Sequence, residues 1–244
     1  MKKNMKKSDT PRFYPMLFST LMVKALLAGT KTQTRRLVKP QPIIDPDSGF
    51  VYDGNHKSFY KNDANHLDWR IAFIQDHAHL KVGDIIWVRE TFMEYWTDDV
   101  ENLQIDYKAD SNNPPLLLHD DDGFQVYNSD GSERYIAWKP SLFMPKKACR
   151  LWLKVTNVRI EALQEISEED AIKEGIIFEW INLTTQTFTA LDYRTNNMRF
   201  DFTAKDSYKS LWDKINGIDD WAKNSFVWVY DFEVLHECPD GFIE

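Results

Sequence analysis

The spacing of apolar and polar residues changes period several times along the chain. Residues 13–18 are an unbroken apolar and aromatic run, which predicts an opening strand. Residues 20–27 then predict a short helix with Leu21, Ala25 and Leu27 or Ala28 inward, stopped by Gly29 in a left-handed conformation. Past that glycine, threonine occupies every second position. A strand here puts Lys31, Gln33 and Arg35 on one face and Thr30, Thr32, Thr34 and Arg36 on the other. Because it is polar on both faces, it is predicted to line a wet cleft, where amines, guanidinium groups and hydroxyls donate to phosphate oxygens or base carbonyls. The competing reading is an exposed edge strand held open by charge.

Pro40 and Pro42 end this region, and residues 45–65, rich in Gly, Asp, Asn and Pro, read as a surface insert. Residues 85–92 predict a strand with Ile85, Trp87 and Arg89 on one face and Ile86, Val88 and Glu90 on the other. An Arg and a Glu on an apolar strand are costly to bury singly, so Arg89 either pairs with Glu90 or points at a ligand. Residues 105–109 predict another strand, and 135–138 lead through Lys139-Pro140-Ser141 to Met144-Pro145, a loop stiffened by proline. Residues 151–158 alternate as a half-buried strand. Ser167 caps a helix that Gly175 closes, leaving Glu174 in the last turn, where the helix dipole disfavours its charge. Residues 184–202 are polar and aperiodic, a second insert. Residues 205–216 form an amphipathic helix with Tyr208, Leu211, Trp212 and Ile215 as core, and 225–235 a strand apolar on both faces.

Composition narrows the reading. With 244 residues, 43% of them hydrophobic, the chain is expected to be one domain, 13–236, between a basic tail at 1–12 and a short tail at 237–244. No apolar run is long enough for a bilayer, and the start lacks a signal-peptide core, so no membrane partner and a cytoplasmic location are expected. Cys149 and Cys238 have no metal-ligand spacing and read as buried free thiols. His77 and His79 lack a third ligand, and the aspartates at 120–122 lack the spacing of a calcium loop, so no metal or other cofactor is expected. Net charge is -8, the wrong sign for coating nucleic acid. Yet six basic and no acidic residues lie between 139 and 160, against eleven acidic and one basic between 94 and 133, which suggests a local basic face.

Four blocks together carry a resemblance: Leu26 to Arg36; Gly83-Asp84-Ile85-Ile86-Trp87-Val88-Arg89-Glu90-Thr91-Phe92; Trp138-Lys139-Pro140-Ser141 with Met144-Pro145; and the run from Leu151 to Gly175, followed by Trp212 and Val227 to Phe232. In this order they resemble the ASCH family of PUA-like domains, above all its longer phage and prophage members. The resemblance implies an α+β fold, a mixed β-barrel with flanking helices, here with two loop-rich inserts. It also implies a cleft for RNA or a modified nucleobase, lined by Lys31, Thr34, Arg35, Arg36, Arg89 and Lys139, with Trp87 or Trp138 for stacking. Small bacterial members hydrolyse N4-acetylcytidine with a lysine, a threonine and a glutamate, which fall on Lys31, Thr34 and Glu174. In that reading Lys31 takes the threonine proton, Thr34 attacks the amide and Glu174 protonates the departing amine. The register conflicts with it, since Lys31 and Thr34 face opposite ways unless a bulge intervenes. A third reading is a regulatory adaptor that binds a host protein through the inserts; the sequence leaves the oligomeric state open.

Overall fold

The computed structural model describes residues 11–48, 50–55, 59–61, 67–97, 100–110, 119–120, 123–127, 133–182 and 187–242. Most of the predicted basic tail and part of the calcium-like aspartate cluster lie outside them. The fold is α+β with a mixed five-stranded sheet in the order Phe13–Leu17, Ile85–Arg89, Trp152–Ala162, Phe226–Leu235, Gln33–Leu37. The described strands form this sheet and four smaller ones rather than a closed barrel. Among the described residues no helix is long and apolar enough to cross a membrane. The chain divides into two compact units, one made of Met1–Ala28, Ile85–Leu153 and Val234–Glu244, the other of Gly29–Asp84 and Lys154–Glu233.

In the first unit Phe13–Leu17 pairs in parallel with Ile85–Arg89, Phe13 opposite Ile85 and Leu17 opposite Arg89. Ile86, Val88 and Glu90 are buried, as the alternation predicts. Ser19 caps the helix Thr20–Leu27, its side chain accepting from the Met22 amide at 3.4 Å. The buried stripe is Met22, Val23, Ala25 and Leu26, while Leu21 and Leu27, expected inward, are 40% and 48% exposed. The cap fixes where the helix starts, and the face it turns inward lies one residue away from the predicted one. Ile85, Cys149, Trp152 and Phe242 form a core against which Trp87 and Phe13 pack. Cys149 is buried as expected; Cys238 is exposed, because it sits among the polar residues that follow the last strand.

The second unit pairs Gln33–Leu37 antiparallel with Phe226–Leu235. Behind that pair Trp69 and Phe73, from the helix Leu67–His77, meet Phe226 and Trp228 with ring centroids 5.5 and 5.9 Å apart. Ser167 caps the helix Glu168–Lys173, and Gly175 closes it at φ 79°. Thr203 caps the helix Ala204–Asn216, which buries Tyr208, Leu211 and Trp212 but leaves Ile215 60% exposed near its end.

Both inserts expected to be loops contain sheet. Strands Ile43–Ile44, Phe50–Tyr52 and Phe59–Lys61 form one antiparallel set, with Asp45 turning the first hairpin by accepting the Asp47 amide at 2.9 Å. Phe178–Asn182, Thr187–Asp192 and Asn197–Phe200 form another, turned by Asn196 at φ 60°. Residues 184–186 of the second predicted insert lie outside the described ones. These strands are short and their turns polar, so composition registered the turns and missed the aromatic and β-branched residues between them.

Candidate functional site

The predicted cationic strand is not exposed. Lys31, Gln33, Thr34 and Arg35 keep 2%, 0%, 3% and 4% of their surface, and Glu174 keeps 4%. The expectation of a wet, open cleft is corrected here: polar groups on both faces are buried because other polar groups of the same unit answer them. Lys31 forms an antiparallel bridge with Glu174 just before the strand begins. Its Nζ donates to the Glu174 carbonyl at 2.7 Å, to Glu174 Oε2 at 2.9 Å and to the Gln33 carbonyl at 2.8 Å. Burial lowers the Lys31 pKa below its ordinary 10.5, with Arg36 and Arg35 adding to the effect, and Glu174 only partly offsets them.

Arg35 occupies the centre of a wider network. Its Nη1 donates to Glu174 Oε1 at 3.2 Å and to the Gln33 side chain; its Nη2 donates to Glu161 at 3.0 Å and Asp170 at 3.1 Å. Gln33 Nε2 bridges Asp170 at 3.3 Å and Asp231 at 2.6 Å. Arg159 binds three of these carboxylates, Glu161 at 2.8 Å, Asp170 at 3.0 Å and Asp231. Burial opposes the charge of Arg35, but Glu174, Tyr208, Glu161 and Asp170 raise its pKa on balance. Residues directly opposite on paired strands share a face, so Gln33 and Arg35 lie with Asp231 and Val229, while Thr34 and Arg36 lie with Tyr230 and Trp228. Thr34 is thus on the face away from Gln33 and Arg35, as the alternation predicts. Arg36 is half-buried, and burial lowers its pKa against the pull of Glu174, Tyr208 and Tyr230.

The structure brings together Lys31, Arg35, Arg36 and Glu174 from the predicted set. Arg89, Trp87, Trp138 and Lys139 belong to the first unit, each with partners there. Arg89 donates to the Leu142 carbonyl and lies 5.5 Å over the Trp87 ring. It does not pair with Glu90, whose carboxylate takes Arg150 at 2.9 and 3.0 Å. Trp87 packs on the Phe242 core, Trp138 packs on Met93 under Lys108, and Lys139 pairs with Glu94 at 2.8 Å. The basic run is likewise engaged: Lys154 pairs with Glu233 at 3.3 Å, Lys146 lies 4.6 Å over Phe242, and Arg150 and Arg159 are held as described. The predicted basic stretch is therefore largely engaged in contacts within the chain, while Lys139, Lys146, Lys147 and Lys154 remain exposed. Among the described residues no three His, Cys, Asp or Glu side chains group as metal ligands would; His77 contacts the Tyr60 hydroxyl at 2.8 Å.

Sequence reading missed Gln33, Glu161, Asp170, Asp231, Arg159 and Tyr208 as members of this cluster. A signal existed for one of them, since Asp231 interrupts the valine face formed by Val227 and Val229. Tyr208 read as core, and by burial it is core. No family model, curated protein or solved structure matches the chain.

Proposed function

We propose that the chain is an ASCH-type, PUA-like domain that binds one modified nucleobase or nucleoside, free or in a short RNA segment, at Lys31 and Glu174. The observation that carries this reading is the buried Lys31–Glu174 contact at 2.9 Å, with Arg35 on the other carboxylate oxygen. All three Lys31 donors are engaged within the chain, so in this reading a base edge takes the place of one of those acceptors and meets a donor and a carboxylate held in fixed positions. A long RNA tract fits less well, because Lys139, Arg150, Lys154 and Arg159 are already paired with carboxylates of the chain. The resemblance in motif order supports the PUA-like assignment, and a mixed five-stranded sheet is compatible with it.

A second reading, amide hydrolysis of an N4-acylated cytidine, is favoured by the lowered pKa of Lys31 beside a carboxylate. A neutral Lys31 amine takes the Thr34 proton as Oγ1 bonds to the acyl carbon. The C–N bond then breaks as the proton passes from the Lys31 ammonium through Glu174 to the departing nitrogen, and water cleaves the acyl-threonine ester to release the acid. This reading requires Lys31, which precedes the paired strand, to reach across to the Thr34 face.

The test is titration at low salt with cytidine, N4-acetylcytidine and short RNA, following both binding and free cytidine. Binding lost in Lys31→Ala supports the first reading, and cytidine release lost in Lys31→Ala and Glu174→Gln supports the second. No binding to any of the three by the wild type discards both.

A further inference from the structure

In the first unit the segment from Pro140 to Cys149 is pinned in place and turns two large apolar side chains to solvent. Its two short turns, Ser141–Phe143 and Lys146–Ala148, are closed by main-chain bonds, the Phe143 amide to the Pro140 carbonyl at 2.9 Å and the Ala148 amide to the Pro145 carbonyl at 3.0 Å. Met144 and Ala148, each 1% exposed, anchor the segment in a core with Phe92. Outside these anchors Leu142 and Phe143 keep 59% and 67% of their surface, and Lys146 and Lys147 are exposed as well. The Leu142 carbonyl accepts from Arg89, whose guanidinium lies over Trp87, and Leu17, half-exposed, stands directly opposite Arg89 on the paired strand. Among the described residues Arg89, Lys146 and Lys147 have no carboxylate partner, and the buried Nε of Arg89 has no hydrogen-bond partner. A chain of net charge -8 therefore leaves three cations without a counter-charge beside an exposed Leu-Phe pair.

One partner has to supply both fixed negative charge for the cations and an apolar phase for the leucines and the phenylalanine. A nucleic acid supplies the first, but its bases stack on aromatic rings and gain little from leucine. An acidic protein with a matching socket supplies both only through shape, whereas lysines, mobile point charges on long stems, suit a field of like charges better than one fixed geometry. A bilayer with anionic headgroups meets both conditions at once: the arginine fork and the lysines take phosphate oxygens while the apolar side chains enter the acyl boundary. We propose that this face of the first unit is a peripheral membrane-binding surface that seats Leu142 and Phe143 in an anionic bilayer. The net charge of -8 repels the rest of the protein from such a surface and so favours this orientation. The contact lies on the bilayer and needs no spanning helix, and it stands independently of the nucleobase reading.

The experiment is co-sedimentation of the full chain at low salt with vesicles of phosphatidylcholine alone and of equal parts phosphatidylcholine and phosphatidylglycerol. The wild type is expected to bind the mixed vesicles and to bind the neutral ones at least about tenfold more weakly. Phe143→Ser is expected to weaken binding by about tenfold or more, as the buried ring is lost. Lys146→Gln and Lys147→Gln are expected to weaken it by about fivefold for each charge removed. All three positions are exposed, so melting temperatures stay at the wild-type value and a loss of binding is not a loss of fold. Phe143→Trp is expected to restore binding and to shift its emission to the blue on mixed vesicles. No binding of the wild type to the mixed vesicles overturns the proposal. So does binding that Phe143→Ser leaves unchanged, which would be adsorption by charge without insertion. Binding of short RNA that is lost in Phe143→Ser, with none to vesicles, would assign the face to a nucleic acid and overturn it too.

Discussion

Lys31 and Glu174 are joined twice, through the lysine amine to the glutamate carboxylate at 2.9 Å and through the same amine to the glutamate carbonyl at 2.7 Å. Glu174 is the cap at the end of the helix Glu168–Lys173, where main-chain carbonyls lack partners and a cation is favoured. The Thr32 amide adds a bond to the Lys173 carbonyl at 2.9 Å. One side chain therefore ties a helix end to a strand start and holds a carboxylate beside an amine. Structural and chemical roles coincide at this position, so variants have to be judged by stability and by ligand response together.

Lys31→Met is expected to cost about 3 kcal/mol, the lower end for breaking a buried pair, since Glu174 retains Arg35. Two main-chain carbonyls also lose a donor. Urea denaturation followed by tryptophan fluorescence measures the loss. An unchanged midpoint would mean that the amine does not hold the helix end in place.

The lowered pKa of Lys31 sets a sign for pH dependence. In the unfolded chain the amine binds its proton up to about 10.5, while in the folded chain it releases it at lower pH. Between those two values the unfolded state holds more protons, so the contribution of Lys31 to stability rises with pH. Burial works the other way on Cys149, lifting its thiol to about 12, and Tyr208 is raised as well. These groups lose stability with rising pH and are common to wild type and variant, so the difference isolates Lys31. The gap in melting temperature between wild type and Lys31→Met is expected to widen from pH 7 toward pH 10; a constant gap contradicts the assignment.

Much of this arrangement was legible because local signals agreed with it. Ser19, Ser167, Gly29 and Gly175 set helix ends by capping and by left-handed backbone, which neighbours in the chain decide. The alternation in 31–36 placed Gln33 and Arg35 on one face and Thr34 and Arg36 on the other. It could not tell burial from exposure, because the groups that make burial tolerable, Glu161, Asp170 and Asp231, come from distant parts of the chain. In the basic run at 139–160, Lys139, Lys146, Lys147 and Lys154 are exposed, but the run alone could not show that Lys139, Arg150 and Lys154 are paired, since Glu94, Glu90, Asp110 and Glu233 lie outside it.

Substitutions at the caps test how tightly Glu174 must be placed. Ser167→Ala removes the acceptor for the Asp170 amide at 3.1 Å and is expected to cost about 1 kcal/mol. Gly175→Ala forces an L side chain into φ 79° and is expected to cost about as much. If ligand binding depends on the Lys31–Glu174 geometry, both variants weaken it by more than their small stability loss explains. The comparison is a dissociation constant measured well below each melting temperature.

The first unit holds its own buried ion pair, and Arg150→Lys tests what its geometry contributes. Arg150 gives Nε and Nη2 to the two oxygens of Glu90, which keeps 1% of its surface, and two further bonds to Asp110, that from Nη2 at 3.1 Å. Its guanidinium carbon lies 3.8 Å from the centre of the Tyr107 ring. Lysine retains the charge but has neither the fork nor the flat face, so a loss of about 1–3 kcal/mol is expected. Arg150→Met goes further. Burial already raises the Glu90 pKa, and Arg150 is what holds it back. Without the arginine the folded-state pKa rises further above the unfolded 4.5, and the folded state binds the extra proton between the two values. The stability deficit of Arg150→Met is therefore expected to be largest near pH 7 and to shrink as pH falls toward 4.5, below which Glu90 is protonated in both states. Denaturant midpoints at pH 7, 6 and 5 decide it: a deficit that stays constant would mean that packing on Tyr107, not the charge on Glu90, is what Arg150 supplies.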